Sequence, residues 1–216
     1  TIKSDASGIW LWDNSHNNTF CDNEITTNSF GVESWESSNN KYLNNFINST
    51  GSWGGTSTDG IYLSPDSNNT FIANNTIITY GDLGHGIYIR SFSNTLINNT
   101  LITNGSSAYG IYIRSSGNNE IKNGSIIAKN SYDYYLRDAG LTNLFVNTNF
   151  TDVREIYLYE NTSWFIYSND SMIWLKTNIS TYNIRLTRKL INWNRSLLIW
   201  NDSASTAVIA RYNISG

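Results

Sequence analysis

The sequence predicts an all-β fold: a right-handed parallel β-helix (solenoid) of about seven coils, with a C-terminal antiparallel β cap or β-sandwich-like unit. The first observation is a motif that recurs at steps of 23, 29, 26, 24, 23 and 22 residues. Repetition at such a period is typical of solenoids, in which stacked units bury one continuous core. The copies of the motif are residues 8–11, 31–34, 60–63, 86–89, 110–113, 133–136 and 155–158.

The second observation is that apolar residues alternate within each copy. Ile87 and Ile89 fall on one side of the chain and Tyr88 on the other, which is the period of a β-strand. Two further strand signatures follow in each unit, as in 94–96 and 99–101, and asparagine or glycine marks their corners. Asparagine suits tight turns and can form hydrogen-bonded ladders between stacked coils. We therefore predict three short strands and no helix in each unit.

The third observation is that the period fails after about residue 160. The segments 163–167, 171–176, 182–188, 197–200 and 206–212 still have strand character, with turn residues between them. Solenoids need a cap over the last core layer and the open strand edges. We therefore predict a parallel β-helix over residues 1–160 and an antiparallel cap or partial β-sandwich over 161–216.

The repeated pattern Gly-Ile-Tyr, followed by Ser-Asn-Asn-Thr-Phe-Ile-Ala-Asn-Asn-Thr-Ile-Ile at 67–78, resembles a known family. It is similar to the right-handed parallel β-helix repeat of archaeal cell-surface glycoproteins, of carbohydrate-active β-helix proteins and of periplasmic copper-site assembly proteins. The resemblance covers roughly residues 1–160 and implies the fold more strongly than any one activity, because one fold hosts many functions.

Composition excludes several classes of function. The chain has 14 Lys and Arg against 17 Asp and Glu, a net charge of −3, so a nucleic-acid partner is not expected. No apolar run approaches the length of a transmembrane helix, so no transmembrane segment is expected. No His/Cys/Asp cluster has the spacing of metal ligands, and no phosphate-binding loop occurs, so neither a metal nor a cofactor is predicted.

Asparagine usage indicates the compartment. The 33 Asn, 21 Thr and 28 Ser would give about 7 or 8 Asn-x-Ser/Thr glycosylation sequons by chance, and the chain has 14. We therefore predict an extracellular or cell-surface location with covalent N-glycans. The sequons are Asn17, Asn48, Asn68, Asn74, Asn98, Asn104, Asn123, Asn149, Asn161, Asn169, Asn178, Asn194, Asn201 and Asn213.

The outward positions of the first strand of each unit predict a binding surface. If the isoleucines and leucines face inward, aromatic and arginine side chains form an exposed stripe along the solenoid. Such stripes suit protein interfaces or sugar rings, although aromatic residues also simply favour strands. The predicted binding residues are Trp10, Trp12, Trp35, Tyr62, Tyr88, Arg90, Tyr112, Arg114, Tyr135 and Arg137.

A weaker signal concerns catalysis. The runs 58–61 (Thr-Asp-Gly-Ile) and 84–87 (Gly-His-Gly-Ile) resemble two motifs of polygalacturonases, and this resemblance implies Asp59, His85 and the nearby Asp82 as candidate catalytic residues. Asp59 and His85 share a repeat position on neighbouring coils, about 5 Å apart. However, the paired aspartates of that family are missing, since no Asp-Asp occurs in the chain. An inverting hydrolase needs two suitably spaced carboxyl groups, so a non-enzymatic role is favoured.

These patterns favour an extracellular structural glycoprotein module of a surface layer, sheath, filament or adhesin. Its expected partners are copies of itself or other cell-surface proteins, bound through the stripe. The alternative is a carbohydrate-binding or polysaccharide-degrading β-helix protein, either a glycoside hydrolase or a lyase, with a polysaccharide as partner.

Overall fold

The computed structural model describes residues 1–51 and 58–137, the side chain of Asn143, and the backbone of seven further strands between residues 143 and 210. Its regular elements are all β-strands. Within this described part, no helical segment has the length and hydropathy needed to cross a membrane.

Three parallel sheets run along the molecule, and each coil contributes one strand to each sheet. Sheet 1 contains β2 (Ile9–Leu11), β5 (Val32–Ser34), β8 (Ile61–Leu63), β11 (Ile87–Ile89), β14 (Ile111–Arg114), β17 (Tyr134–Arg137) and β20 (Ile156–Tyr159). Sheet 2 contains β3 (Thr19–Cys21), β6 (Lys41–Leu43), β9 (Phe71–Ala73), β12 (Thr95–Ile97), β15 (Glu120–Lys122), β18 (Asn143–Val146) and β21 (Trp164–Asn169), with β22 (Met172–Thr177) at its edge. Sheet 3 contains β1 (Ile2–Ser4), β4 (Glu24–Thr27), β7 (Phe46–Ser49), β10 (Thr76–Thr79), β13 (Thr100–Thr103), β16 (Ser125–Ala128) and β19 (Asn149–Phe150).

In these sheets, each residue pairs with the residues at the equivalent repeat position in the neighbouring coils. Tyr88 pairs with Tyr62 on one side and with Tyr112 on the other, so equivalent positions stack directly. Five coils, from β2 to β16, have all three strands with described side chains. The predicted right-handed parallel β-helix is confirmed, with the handedness that parallel crossover connections almost always adopt.

Beyond the coils the strand pairing changes direction. β21 pairs in parallel with β18 but antiparallel with β22, and β23 (Leu197–Asn201) pairs antiparallel with β24 (Thr206–Ala210). Most of the remaining residues between 160 and 216 lie outside the described part of the chain. The division into domains at residue 160 therefore stays a prediction.

The core is a column of aliphatic side chains from all three sheets. Ile61, Ile77 and Ile87 are fully buried, as are their equivalents in neighbouring coils. Each such side chain contributes about 1.5–3 kcal/mol by leaving water. The glycine before each of the first five sheet 1 strands permits this packing: a Cβ on Gly60 would lie 2.1 Å from Ile77 Cγ2 and 2.6 Å from the carbonyl oxygen of Gly86.

Buried asparagines join consecutive coils at the corner between sheets 2 and 3. The Asn75 side-chain oxygen accepts hydrogen bonds from the backbone N–H and the side-chain amide of Asn45, at 2.8 and 2.9 Å. Asn75 in turn donates to Asn99 in the next coil. A second ladder joins Asn94 to Asn119 at the corner between sheets 1 and 2. These ladders satisfy polar groups that burial would otherwise penalise, and they hold the coils in fixed register.

Candidate functional site

The candidate site is the outward face of sheet 1, which carries two columns of side chains along the solenoid. The inner column is Trp10, Glu33, Tyr62, Tyr88, Tyr112 and Tyr135. The outer column is Trp12, Trp35, Ser64, Arg90, Arg114 and Arg137. The structure therefore brings the predicted binding residues together on one face, because strand alternation points them away from the core.

The tryptophan end of this face, formed by Trp10, Trp12 and Trp35, is the open part. Trp10 is 63% exposed and Trp12 is 58% exposed. Trp12 contacts both neighbours, with ring centroids 5.8 Å from Trp10 and 5.8 Å from Trp35. The indole N–H of Trp35 donates to the Glu33 carboxylate at 2.7 Å, which fixes the orientation of that ring. Trp10 and Trp12 thus present two adjoining exposed indoles on this face.

The tyrosine middle of the face, formed by Tyr62, Tyr88 and Tyr112, is packed rather than open. Tyr62 is only 6% exposed and Tyr112 only 8%, so the expectation of a stripe exposed along its whole length is corrected at these two positions. Tyr88 and Tyr112 stack with centroids 4.4 Å apart and planes 8° apart. Burial raises the pKa of Tyr88 to about 12, with a smaller contribution from Tyr112. Burial likewise raises the pKa of Tyr62.

A third column, which the sequence reasoning did not connect with the stripe, accounts for this burial. It consists of the residues immediately before the repeated glycine, or before Asp133 at the equivalent position, namely Ser7, Phe30, Asp59, His85, Tyr109 and Tyr132. The His85 ring lies edge-on against Tyr88 and Tyr112, at centroid distances of 5.7 and 5.1 Å, and it stacks on Tyr109 at 4.8 Å. The recurring glycine could have signalled this column, but its residue type changes from coil to coil.

Arginines border the tyrosine middle on its other side. Arg90 interacts electrostatically with the Tyr62 hydroxyl, and Arg114 with that of Tyr88, so each arginine reaches back by one coil. Both arginine side chains are half-buried. The interaction with Tyr88 raises the pKa of Arg114. The tyrosine middle is therefore enclosed between arginines on one side and the third column on the other.

Asp59 and His85 lie on adjacent coils, as the repeat predicts, and both are buried. One Asp59 carboxylate oxygen accepts the backbone N–H of His85 at 2.8 Å, and His85 Nδ1 accepts the backbone N–H of Tyr109 at 3.0 Å. Each side chain thus binds the backbone of the next coil. Burial lowers the pKa of His85 to about 3, so its imidazole is neutral at physiological pH. This geometry gives Asp59 and His85 a structural role and leaves little access for a polymeric substrate.

Asp82, the third candidate catalytic residue, lies on the surface. Its carboxylate accepts a hydrogen bond from the Ser106 hydroxyl at 3.2 Å. The Asp82 carboxylate thus contacts the next coil at the surface, whereas the Asp59 carboxylate is buried. Catalysis by these residues stays a prediction.

Seven of the predicted sequons have described side chains. Asn17, Asn74, Asn98 and Asn123 are exposed at corners, where each has the left-handed backbone geometry of a tight turn. Asn48, Asn68 and Asn104 are half-buried. The other predicted sequons, Asn149, Asn161, Asn169, Asn178, Asn194, Asn201 and Asn213, have side chains outside the described residues.

Comparison with known proteins agrees with the coil architecture. The family model described as "Periplasmic copper-binding protein (NosD)" matches residues 51–190, more than half of the chain. Searches of curated proteins and of solved structures found no match. From the extent of the family match, together with the parallel coils that it overlaps, the chain belongs to the NosD family of β-helix proteins.

Proposed function

We propose that this chain is a structural module of a cell-surface assembly, which binds neighbouring copies or other surface proteins through the tryptophan end of sheet 1. The family description is that of a periplasmic protein, which supports export from the cytoplasm. The finer assignment to a surface layer, sheath, filament or adhesin is part of the proposal.

The exposure of Trp10 and Trp12 is the observation that carries the proposal. Tryptophan is enriched among the residues that dominate binding energy at protein interfaces. In the described part of the chain, these two side chains are the most exposed of the large hydrophobic residues, and they touch each other. Covering them would remove apolar surface from water without disturbing the packed tyrosine middle.

The described residues do not fit the copper site that the family description implies. Copper favours cysteine, methionine and histidine ligands. Cys21 is exposed, and among the described residues no group of three His, Cys, Asp or Glu could hold a metal. His16 Nδ1 already accepts the Ser38 backbone N–H, and His85 is buried. We therefore derive no role for copper in this part of the chain.

N-glycosylation is a second component of the proposal. Exposed sequons on tight turns can carry a bulky glycan without disturbing the core, and Asn17, Asn74, Asn98 and Asn123 meet that condition. Asn104 is a poorer acceptor, because its side-chain amide donates to the backbone carbonyl of Thr79 at 3.0 Å.

The proposal is tested by measuring the mass of the native protein in solution and imaging it by electron microscopy. Wild-type protein is expected to form oligomers or ordered assemblies whose mass rises with concentration. The Trp10→Ala/Trp12→Ala double variant is expected to remain monomeric at the same concentrations, because its contact surface is lost.

Phe46→Ala provides the matched control. Phe46 is 39% exposed but lies on sheet 3, so its loss should leave assembly unchanged. Circular dichroism of each variant reports whether the β-helix is intact. A wild-type protein that stays monomeric at high concentration would contradict the proposal, as would a double variant that assembles normally.

Carbohydrate binding is the second candidate function, and the exposed indoles of Trp10 and Trp12 favour it as well. Flat aromatic faces can pack against the C–H groups of a sugar ring. Because Asp59 is fully buried, binding is a better account than cleavage by a hydrolase or lyase. Retention of the wild type on a neutral polysaccharide, lost in the same double variant, would favour this function over assembly.

A further inference from the structure

A pair of arginines on neighbouring coils forms a cationic site away from the tryptophan end. We propose that Arg90 and Arg114, with Phe92 beside them, bind the carboxylates of an acidic polysaccharide. This inference builds on the proposed binding role of the outward face of sheet 1, but it uses different side chains from those of the assembly contact.

The register places the two arginines directly next to each other. Ile89 pairs with Ile113, so the residues that follow, Arg90 and Arg114, occupy equivalent positions on adjacent strands. Their backbones are separated by the strand spacing of about 4.8 Å. Arg114 also pairs with Arg137, and the two positive charges repel each other. Like charges directly opposite each other on neighbouring strands destabilise a sheet, and a bound anion would relieve this repulsion.

Within the residues that the structure describes, neither Arg90 nor Arg114 forms an ion pair. The ion pair found in the described part of the chain joins Lys122 to Glu120 on sheet 2. Each of the two arginines instead interacts electrostatically with a tyrosine hydroxyl, and its guanidinium carries five N–H donors. The tyrosines therefore orient two half-buried cations and leave donors for a ligand. Glu33 and Asp59 also act on the Tyr62 hydroxyl, so Arg114 lies further from negative charge than Arg90 does.

The residues that follow the two arginines in the chain favour a saccharide as the negatively charged ligand. Phe92 follows Arg90 by two residues and is 37% exposed, which offers an aromatic surface to the C–H face of a sugar ring. Ser93 and Ser115, next to these residues, are exposed and can bond hydroxyl groups. Bidentate pairing with a carboxylate is the geometry that arginine favours. Because the cations repeat along the solenoid, the ligand that fits them is a polymer with repeated carboxylates.

Affinity electrophoresis through gels containing sodium alginate tests the proposal on the full chain. The wild type is expected to be retarded by alginate, and less so as the salt concentration rises, because screening weakens the attraction. Alginate esterified with propylene glycol has the same backbone without the charge, and it should retard the protein at least tenfold less. Arg90→Gln/Arg114→Gln should lose at least tenfold in apparent affinity for alginate, and Phe92→Ala should lose less.

Lys41→Gln is the matched control, since it removes one positive charge from an exposed position on sheet 2. It should bind alginate like the wild type, and circular dichroism should show each variant folded. Equal binding of the esterified polymer, or undiminished binding by the folded double arginine variant, would overturn the proposal. Binding of poly-glutamate as tight as that of alginate would also overturn the assignment to a saccharide. None of these outcomes depends on Trp10 or Trp12, so the assembly proposal stands or fails separately.

Discussion

Trp10 at the tryptophan end occupies the same repeat position of sheet 1 as the three tyrosines of the middle, yet the two regions differ in what surrounds them. In the middle, His85 and Tyr109 in the third column and the arginines in the outer column enclose the tyrosines. At the tryptophan end the third column begins with Ser7, which is too small to cover Trp10. The same outward direction therefore gives a packed layer in one place and an exposed contact surface in the other.

We expect the two regions of this face to differ in role, with the tyrosine middle stabilising the fold and the tryptophan end binding a partner. The stacked rings of the tyrosine middle act as a second apolar layer outside the core, on the far side of the sheet. Among the described residues, the exposed rings of Trp10 and Trp12 pack less closely than those of the tyrosine middle, and it is this end that we propose to bind a partner. Substitutions in the middle should change the free energy of unfolding, whereas those at the end should change binding.

The largest expected effect is that of Tyr112→Ala. The Tyr112 ring contacts Tyr88, His85 and Tyr135, and the side chain is 8% exposed. Removing a buried aromatic ring of this kind costs about 3–5 kcal/mol. Chemical denaturation should show that loss, and Tyr112→Phe, which keeps the ring, should recover most of it. A loss below 1 kcal/mol in Tyr112→Ala would mean that the middle is not a packed layer.

Between pH 6 and 4, a smaller effect of up to about 2.8 kcal/mol is expected through His85, which packs against the same rings. Burial lowers the pKa of His85 from 6.5 to about 3 in the folded chain. The unfolded state therefore takes up a proton below pH 6.5 while the folded state does not. This contribution to stability is fully present above pH 6.5 and is lost as the pH falls towards 3, at about 1.4 kcal/mol per pH unit.

His85→Asn isolates this contribution. An asparagine oxygen can accept the Tyr109 N–H that His85 Nδ1 accepts, but it does not titrate. The variant should therefore lose stability less steeply than the wild type between pH 6 and 4 in urea denaturation. Identical slopes for the two proteins would show that His85 is protonated in the folded chain.

The β-helix could be predicted from the sequence because each coil repeats three strand signatures, with asparagine or glycine at their corners. The direction of Tyr62 and Tyr112 was also predictable, since alternation decides which way a strand side chain points. Their burial was not, because it depends on contacts across coils with residues such as Phe30 and His85. These residues share the position before the repeated glycine but differ in residue type, so the pattern does not show that they cover the tyrosines. For the same reason, the resemblance at Asp59 suggested chemistry where the structure places a buried backbone contact.

The smallest expected effect on stability, and the one that defines the comparison most sharply, is that of Trp10→Ala. Among the ring contacts in the described residues, Trp10 touches Trp12 alone, and it is 63% exposed. Its removal should change the free energy of unfolding by less than about 1 kcal/mol, as for surface substitutions in general. The same denaturation measurement as for Tyr112→Ala checks this, with Trp10→Phe as the control for ring size. If Trp10→Ala destabilised the chain as strongly as Tyr112→Ala, the tryptophan end would be part of the packed layer and its exposure would not mark a binding site.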